Sequence, residues 1–270
     1  MPRVGVVLPM YNEAGNVAAL LERLSHVREH FGLDLTAIAV DDGSRDATFA
    51  RLNELQPRYP FLRIERHARN RGMAAALRTG VGAALTERSL KFDVLACMDA
   101  DLTHAPEDLP RLIAPIAEDR ADFVLGSRYV PGGGMRGVPW VRRAISVVGN
   151  AAVRGLLGVP VRDLTSGFRA ARAEVFRAVK LQEAGFGIQL EGTVKAYRGG
   201  FRVAEVPITL GVRKNGYSKM AYTRSFWLGY ARLVVRLWLL DKKGRVVDLA
   251  ALDKAIYAEV ENPQGRRTAV

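Results

Sequence analysis

The apolar run Val94–Met98 ends in Asp99-Ala100-Asp101, and that ending is a place where chemistry is expected. Along an extended chain alternate residues share a face, so Asp99 and Asp101 point one way and Ala100 the other. Two carboxylates on one face supply part of the oxygen shell of a hard divalent ion, with substrate phosphates and water completing it. The alternative is plain capping, with Asp101 or Thr103 closing the helix that begins near Pro106.

Other stretches carry polar groups of the same kind. "AVDDGSRDAT" places Asp41, Asp42 and Ser44 in a turn, with Asp46 as the cap of the next helix. A second adjacent acid gains nothing from capping, so Asp42 is free to accept hydrogen bonds from a base or a ribose hydroxyl. "PMYNE" offers the Tyr11 ring and Glu13 beside the first helix, although Asn12 or Glu13 could equally be its cap. Asp163 is the sole acid between Arg128 and Arg172, and is either an ion-pair strut or a site group. "RKNGYSKM" sets Arg213, Lys214 and Lys219 around a turn glycine. That loop is either a solvated charge run or a phosphate-binding one, since Arg brings a planar fork and Lys a point charge.

These groups need elements to carry them. "RVGVVLP", "DLTAIAV", "FLRIER", "FDVLACM" and "ADFVLGS" read as strands, with helices over Ala14–His30, from near Asp46, and over "RGMAAALRTGVGAAL". Near-continuous apolar strands alternating with helices indicate an α/β fold with a mostly parallel sheet covered on both faces. In such sheets ligands bind outside the carboxyl ends of the strands. "PMYNE", "DDGS" and "MDAD" all fall at such ends, so acids far apart in sequence converge on one crevice. No G-x-G-x-x-G follows the first strand, which disfavours a Rossmann dehydrogenase.

The 270 residues carry a net charge of +12, unevenly spread. Residues 128–172 hold eight basic residues against one acid and residues 202–245 ten against two, and all three tryptophans fall in these blocks. That pattern points to an anionic partner: phosphates, a membrane surface or nucleic acid. "FWLGYARLVVRLWLL" is apolar apart from Arg232 and Arg236, which share a helical sector with Arg224. It is either an interfacial helix with its arginines at lipid phosphates or a helix packed on the domain with snorkelling arginines. No stretch is long and apolar enough for a transmembrane helix, and the N-terminus does not read as a signal peptide. The single cysteine, Cys97, allows no internal disulfide and suits a reducing compartment.

In order along residues 3–225, "LPMYNE", "VDDGSRDAT", "NRGMAAALRTG", "MDADLTHAPEDLP", "GSRYVPGG", "RRAIS", "DLTSGFRA", "EVPI" and "RKNGYSK" resemble the polyprenol-phosphate sugar transferases of glycosyltransferase family 2. The likeness is strongest to the dolichol-phosphate mannose synthases. The resemblance implies the GT-A fold, with a catalytic domain over residues 1–225 and an amphipathic helix and polar tail over 226–270. It implies that Pro9, Tyr11, Glu13, Val40 and Asp42 hold the nucleoside of a nucleotide-sugar donor, while Asp99, Ala100 and Asp101 surround Mg²⁺ or Mn²⁺ and the diphosphate. Asp101, Arg128, Arg213 and Lys219 would form the catalytic set, the last three on donor and acceptor phosphates. Arg142 and Ser146 lie where the family binds the lipid phosphate.

The activity implied is inverting transfer of a hexose, mannose from GDP-mannose foremost, to a polyprenyl phosphate. The chain would act at the cytoplasmic face of a membrane, bound peripherally or through a membrane-anchored partner protein, with no nucleic acid involved. Two rivals stand beside it: a transferase acting on a non-lipid hydroxyl, and a non-catalytic module that binds anionic surfaces or nucleic acid.

Overall fold

The computed structural model describes residues 2–86, 91–213 and 224–239. In chain order these form β1 (Arg3–Met10), α1 (Val17–His30), β2 (Asp34–Asp41), α2 (Thr48–Leu55), β3 (Leu62–Arg66), α3 (Met73–Thr86) and β4 (Val94–Cys97). A single 3₁₀ turn over Pro106–Asp108 leads into α4 (Leu109–Ala117) and β5 (Phe123–Ser127). The second half holds β6 (Gly134–Met135), α5 (Trp140–Leu157), β7 (Arg169–Arg172), α6 (Ala173–Ala178), α7 (Gly187–Arg198), β8 (Val203–Pro207), β9 (Thr209–Leu210) and α8 (Arg224–Leu239).

The main sheet has the order β3-β2-β1-β4-β7-β5-β8, and every pairing is parallel except those of β7. β6 and β9 form a separate two-stranded parallel ribbon. The five strands expected from the apolar runs are present; β7 and β8 join them. β7 escapes the apolar pattern because "RAAR" opens and closes on arginine.

Alternation along the strands builds two cores. Val4, Val6 and Leu8 of β1 face α1 and α4, whereas Val7 joins Leu95, Cys97 and α3 on the other side. Small residues let α3 lie close to the sheet. A Cβ on Gly80 would fall 2.4 Å from a Val7 methyl and 3.0 Å from Val40, so glycine is required there. A third core gathers Phe123 and Leu125 with Leu157, Leu190, Val194, Leu233 and Leu237, joining β5 to α5, α7 and α8.

The first helix begins at Val17 rather than Ala14. The carbonyl of Glu13 accepts from the amides of Asn16 and Val17, so the intervening residues make a turn. α8 also differs from one expectation. Leu233, Val234 and Leu237 are buried against the domain, and Arg236 turns inward to Glu183, at 2.8 Å. Arg236 therefore does not share an outward cationic sector with Arg224 and Arg232, because Glu183 and the buried Glu191 claim it. Arg198 ties the bundle by donating to the carbonyls of Leu157 in α5 and Leu237 in α8.

Candidate active site

The strand order reverses between β1 and β4, since β2 and β3 lie to one side of β1 and β4 to the other. At such a switch point the loops leaving the carboxyl ends diverge and open a crevice. The loops after β1, β2 and β4 carry the predicted acids to this edge.

The β1 and β2 loops lock together. The amide of Asn12 donates to Ser44 Oγ at 2.9 Å, and Asn12 Oδ1 accepts from the amide of Arg45 at 2.8 Å. The amide of Glu13 donates to Thr48 Oγ1, and that of Ala14 to Asp46 Oδ2. Asp46 also accepts from the Thr48 amide at 2.9 Å, but it is not the cap expected of it: the N-cap of α2 is Ala47, and no side chain caps that helix. Burial works against its ionisation, but hydrogen bonds from Thr48 and Ala14 prevail and hold its pKa below the ordinary carboxylate value.

Asp42 has a use that the sequence did not suggest. One oxygen accepts from His67 Nδ1 at 2.6 Å and the Arg71 amide at 2.8 Å, the other from the Gly72 amide at 2.8 Å. Three donors on a carboxylate with about four acceptor sites leave little for a base or ribose. Its carboxylate shapes the turn entering α3, and His67 passes the contact on to Thr79. Val40 is likewise fully buried, packed under Gly80, so its side chain cannot touch a nucleoside. Pro9 and Tyr11 stand half-buried at the end of β1.

The loop after β4 holds the centre of the site. Ala100 is buried in the first core, as the alternation required. Asp101 Oδ1 accepts from the amide and hydroxyl of Thr103, at 3.0 and 2.6 Å. Asp101 therefore pins its own loop and does not cap the helix, whose first turn has no side-chain cap. Asp101 Oδ2 meets the Arg213 guanidinium, which also lies 3.9 Å from Glu13 Oε1. The amide of Gly211 donates to the Thr103 carbonyl at 2.7 Å, and this bond brings Arg213 alongside.

Asp99 keeps its carboxylate 43% exposed, with His104 Nδ1 3.8 Å away. The Asp99 amide donates to that same Nδ1 at 3.1 Å, so His104 presents its unprotonated nitrogen there. His104 stacks on Phe168, 5.0 Å between centroids, and a Cβ on Gly167 would lie 3.3 Å from Asp99 Oδ1. The turn Ser166–Phe168 thus forms a wall behind Asp99.

Arg169 holds that wall. Its guanidinium donates to the carbonyls of Ser166 and of Gln189, the latter at 2.9 Å. Burial pulls its pKa down to about 10, still well above neutrality, so it remains a cation. His104 and Arg169 stand inside the motifs "MDADLTHAPEDLP" and "DLTSGFRA" with nothing local to mark them. Their signal is spatial, since β7 lies beside β4 and pairs Arg169 with Cys97.

Asp163 resolves as the strut. Fully buried, it accepts from Arg128 Nε and Nη2, each at 2.7 Å, and from the Arg128 amide at 3.0 Å. Burial works against the charge of Arg128, but the hydrogen bonds and charge of Asp163, aided by Tyr129 and Asp99, raise its pKa overall. Two of Arg128's three nitrogens are therefore committed, which narrows its reach toward a phosphate to Nη1. Ser146 Oγ meets Tyr129 Oη at 2.6 Å on the inner edge of α5. Arg142 is exposed on the same helix. Lys219 and the rest of "KNGYSKM" lie outside the described residues.

The structure thus brings Glu13, Asp99, Asp101 and Arg213 to one crevice. Among the described residues no three His, Cys, Asp or Glu side chains gather into a metal cage. Two hard oxygen donors fit an ion such as Mg²⁺ or Mn²⁺ that draws its remaining ligands from substrate and water. They do not fit a closed zinc site.

A model of the family described as "Glycosyl transferase family 2" matches residues 5–180. The chain belongs to glycosyltransferase family 2. It is 38% identical over 223 residues to the polyprenol monophosphomannose synthase of Mycolicibacterium smegmatis, covering 81% of each chain. It is 36% identical to the dolichol-phosphate mannosyltransferase of Pyrococcus furiosus, over 87% of this chain but 63% of that longer one. A third relative, the undecaprenyl-phosphate mannosyltransferase of Micrococcus luteus, is 37% identical over 81% of this chain and 88% of its own.

Among solved structures, glucosyl-3-phosphoglycerate synthase from Mycobacterium tuberculosis, in complex with Mn²⁺, UDP and phosphoglyceric acid, superposes with a TM-score of 0.63. It is 22% identical and covers 90% of this chain and 79% of its own, a likeness of fold. This family 2 chain is accordingly a glycosyltransferase with the GT-A architecture, and the crevice at the β1/β4 switch point is its candidate active site. No helix among its described residues is long and apolar enough to cross a membrane.

Proposed function

We propose that the chain transfers a mannosyl group from GDP-mannose to the phosphate of a polyprenyl phosphate, with inversion and with a divalent metal. The observation that carries this reading is the meeting of Asp101 with Arg213 and Glu13 at the switch point, with the exposed Asp99 carboxylate on the same loop. Carboxylates and a guanidinium in one crevice suit a nucleoside diphosphate: the acids through a cation, the arginine directly. The names of the three relatives support mannose as the sugar and a polyprenyl phosphate as the acceptor class.

Asp99 and Asp101 would hold Mg²⁺ or Mn²⁺, which supplies Lewis-acid neutralisation of the departing diphosphate. Arg213 would move from Asp101 onto the diphosphate and stabilise its developing charge. The Glu13 and Asp46 loops form the donor side of the crevice, already interlocked. The acceptor phosphate, a monoester with a second pKa near 6, is largely dianionic at neutral pH. It attacks the anomeric carbon as the diphosphate leaves, so no side chain is required as general base. Arg142 and Ser146 of α5 would bind this acceptor.

One panel tests the reading: GDP-mannose, UDP-glucose and UDP-N-acetylglucosamine against a short polyprenyl phosphate, with Mg²⁺, Mn²⁺ or a chelator. Metal-dependent formation of a β-linked mannosyl phosphodiester from GDP-mannose is the expected result. Transfer to a non-lipid hydroxyl in preference to the phosphate, or undiminished transfer in chelator, overturns it.

A further inference from the structure

The two acids at the end of β4 are not equally open. The Asp99 carboxylate is nearly half exposed, whereas the Asp101 side chain is buried, at 6%. Both Asp101 oxygens already have partners: Oδ1 takes the amide and hydroxyl of Thr103, and Oδ2 takes the Arg213 guanidinium. Glu13 Oε1 lies 3.9 Å from the same guanidinium, and its Oε2 is steadied by Asn16 Nδ2 at 2.6 Å. One cation thus faces acids from the β1 and β4 loops. The arm that delivers it is anchored just upstream. The Arg136 amide donates to the Leu210 carbonyl at 2.9 Å, and the Gly211 amide to the Thr103 carbonyl at 2.7 Å. Val212 closes on Gly137, where an added Cβ would fall 2.7 Å from a Val212 methyl. The anchor ends there, so the Arg213 side chain can change partners while the strand behind it stays in place.

We infer that Arg213 couples the binding of nucleotide to the binding of metal: it competes with a divalent cation for Asp101 Oδ2, and a nucleoside diphosphate ends the competition by drawing the guanidinium onto its own oxygens. The inference rests on the proposed metal-dependent use of a nucleoside diphosphate, and adds that the two bind as a cooperative pair. Two cations at contact distance from one carboxylate oxygen repel each other. Arg213 on Asp101 therefore weakens the hold on a metal that comes alone. A diphosphate changes both sides of the balance. It offers the guanidinium oxygens that its planar fork matches, and it offers the metal further hard oxygen ligands. With Arg213 drawn off, Oδ2 turns to the cation while Oδ1 stays on Thr103, so the carboxylate need not reorient. Such coupling is reciprocal: the factor that nucleotide adds to metal affinity is the factor that metal adds to nucleotide affinity. Between turnovers the same guanidinium keeps the buried Asp101 and Glu13 compensated, which two uncompensated buried acids would otherwise lack.

The test reads Mn²⁺ binding to the full chain by electron paramagnetic resonance, alone, with GMP and with saturating GDP, against protein-free nucleotide blanks. Arg213→Met raises the Mn²⁺ affinity of the nucleotide-free protein by about tenfold. Arg213→Lys, which keeps the charge without the fork, raises it by less. In the wild type GDP tightens Mn²⁺ binding far more than GMP does, and Arg213→Met shrinks that gain by about the same tenfold. A gain of affinity cannot come from a misfolded variant, so the expected result also certifies the fold. Nucleotide-free Mn²⁺ binding that neither variant strengthens overturns the inference. So does a rise of equal size with and without GDP, which is plain repulsion between neighbouring cations and not competition that the nucleotide relieves. No arm needs a sugar or an acceptor, so the coupling can fail while mannosyl transfer stands, and transfer can fail while the coupling stands.

Discussion

Removing the charge of Asp163 should cost far more stability than a surface ion pair would. Its carboxylate is fully buried, and its two oxygens take Arg128 Nε and Nη2 at 2.7 Å each. The Arg128 side chain is 16% exposed, so an orphaned guanidinium finds little water. Breaking a buried pair by removing one partner costs about 3–5 kcal/mol. The slight exposure of Arg128 and the shape kept by asparagine put Asp163→Asn near the lower end, at about 3 kcal/mol. For a domain of this size that is roughly 6–12 °C in melting temperature.

Arg128→Met should cost at least as much, since it leaves a carboxylate with no water around it. The double variant Arg128→Met/Asp163→Leu should lose less than the sum of the two, by about 2 kcal/mol of coupling. Urea unfolding followed by circular dichroism measures all four corners of the cycle. Single losses under about 1 kcal/mol, or an additive double variant, refute the strut. An Asp163→Asn protein of wild-type stability without transfer activity would make Asp163 a site group instead.

Asp101→Asn keeps the acceptor oxygen for Thr103 but loses the charge. Transfer should fall roughly a thousandfold with the fold intact, and near-wild-type turnover with added Mg²⁺ or Mn²⁺ would remove Asp101 from the metal site. Gly167→Ala places a methyl 3.3 Å from Asp99 Oδ1, so Asp99 must shift by tenths of an ångström. Mn²⁺ affinity, read by electron paramagnetic resonance in the presence of GDP, should drop while stability changes by less than about 1 kcal/mol; unchanged affinity argues against the wall. Asp122 is held down to about 2, chiefly by the hydrogen bond from Arg202 and against the pull of burial. A depressed carboxylate stabilises fully above its unfolded value, about 3.9, and loses that contribution as the pH falls to 2. The melting-temperature gap between wild type and Asp122→Asn should therefore close between pH 5 and pH 2, and a constant gap contradicts the assignment.

How far the chain could be read in advance depended on whether a residue's role was local. β1, β2 and β4 are buried on both faces, so their apolar runs announced them, and the polar residues just past their ends followed. Ala100 buried beside two acids came from simple alternation. Asp163, Asp42 and Arg169 were different, because each is explained by a partner far along the chain: Arg128, Arg71 with Gly72, and Gln189. From the sequence an acid beside a turn could equally be a cap, a strut or a ligand, and the partner that decides is brought in by the sheet order. α5 was legible only in part. Its arginines suggested a phosphate site, while the direction of its apolar sector is set by which edge Asn150 ties to the domain.

The position of β7 in the sheet also orders events during folding. β1 to β4 are neighbours of one another and are all complete once residue 97 has been synthesised. β5, by contrast, is bonded to β7 and β8, both of which come later. It must wait until the long excursion through α5 returns at residues 169–172, a non-local closure of the kind that slows folding. That closing strand also brings in the turn behind Asp99. A truncated or half-folded chain can therefore display the whole "DAD" sequence while lacking the wall that aims it, so the crevice is complete around Asp99 only when the gap between β4 and β5 is filled.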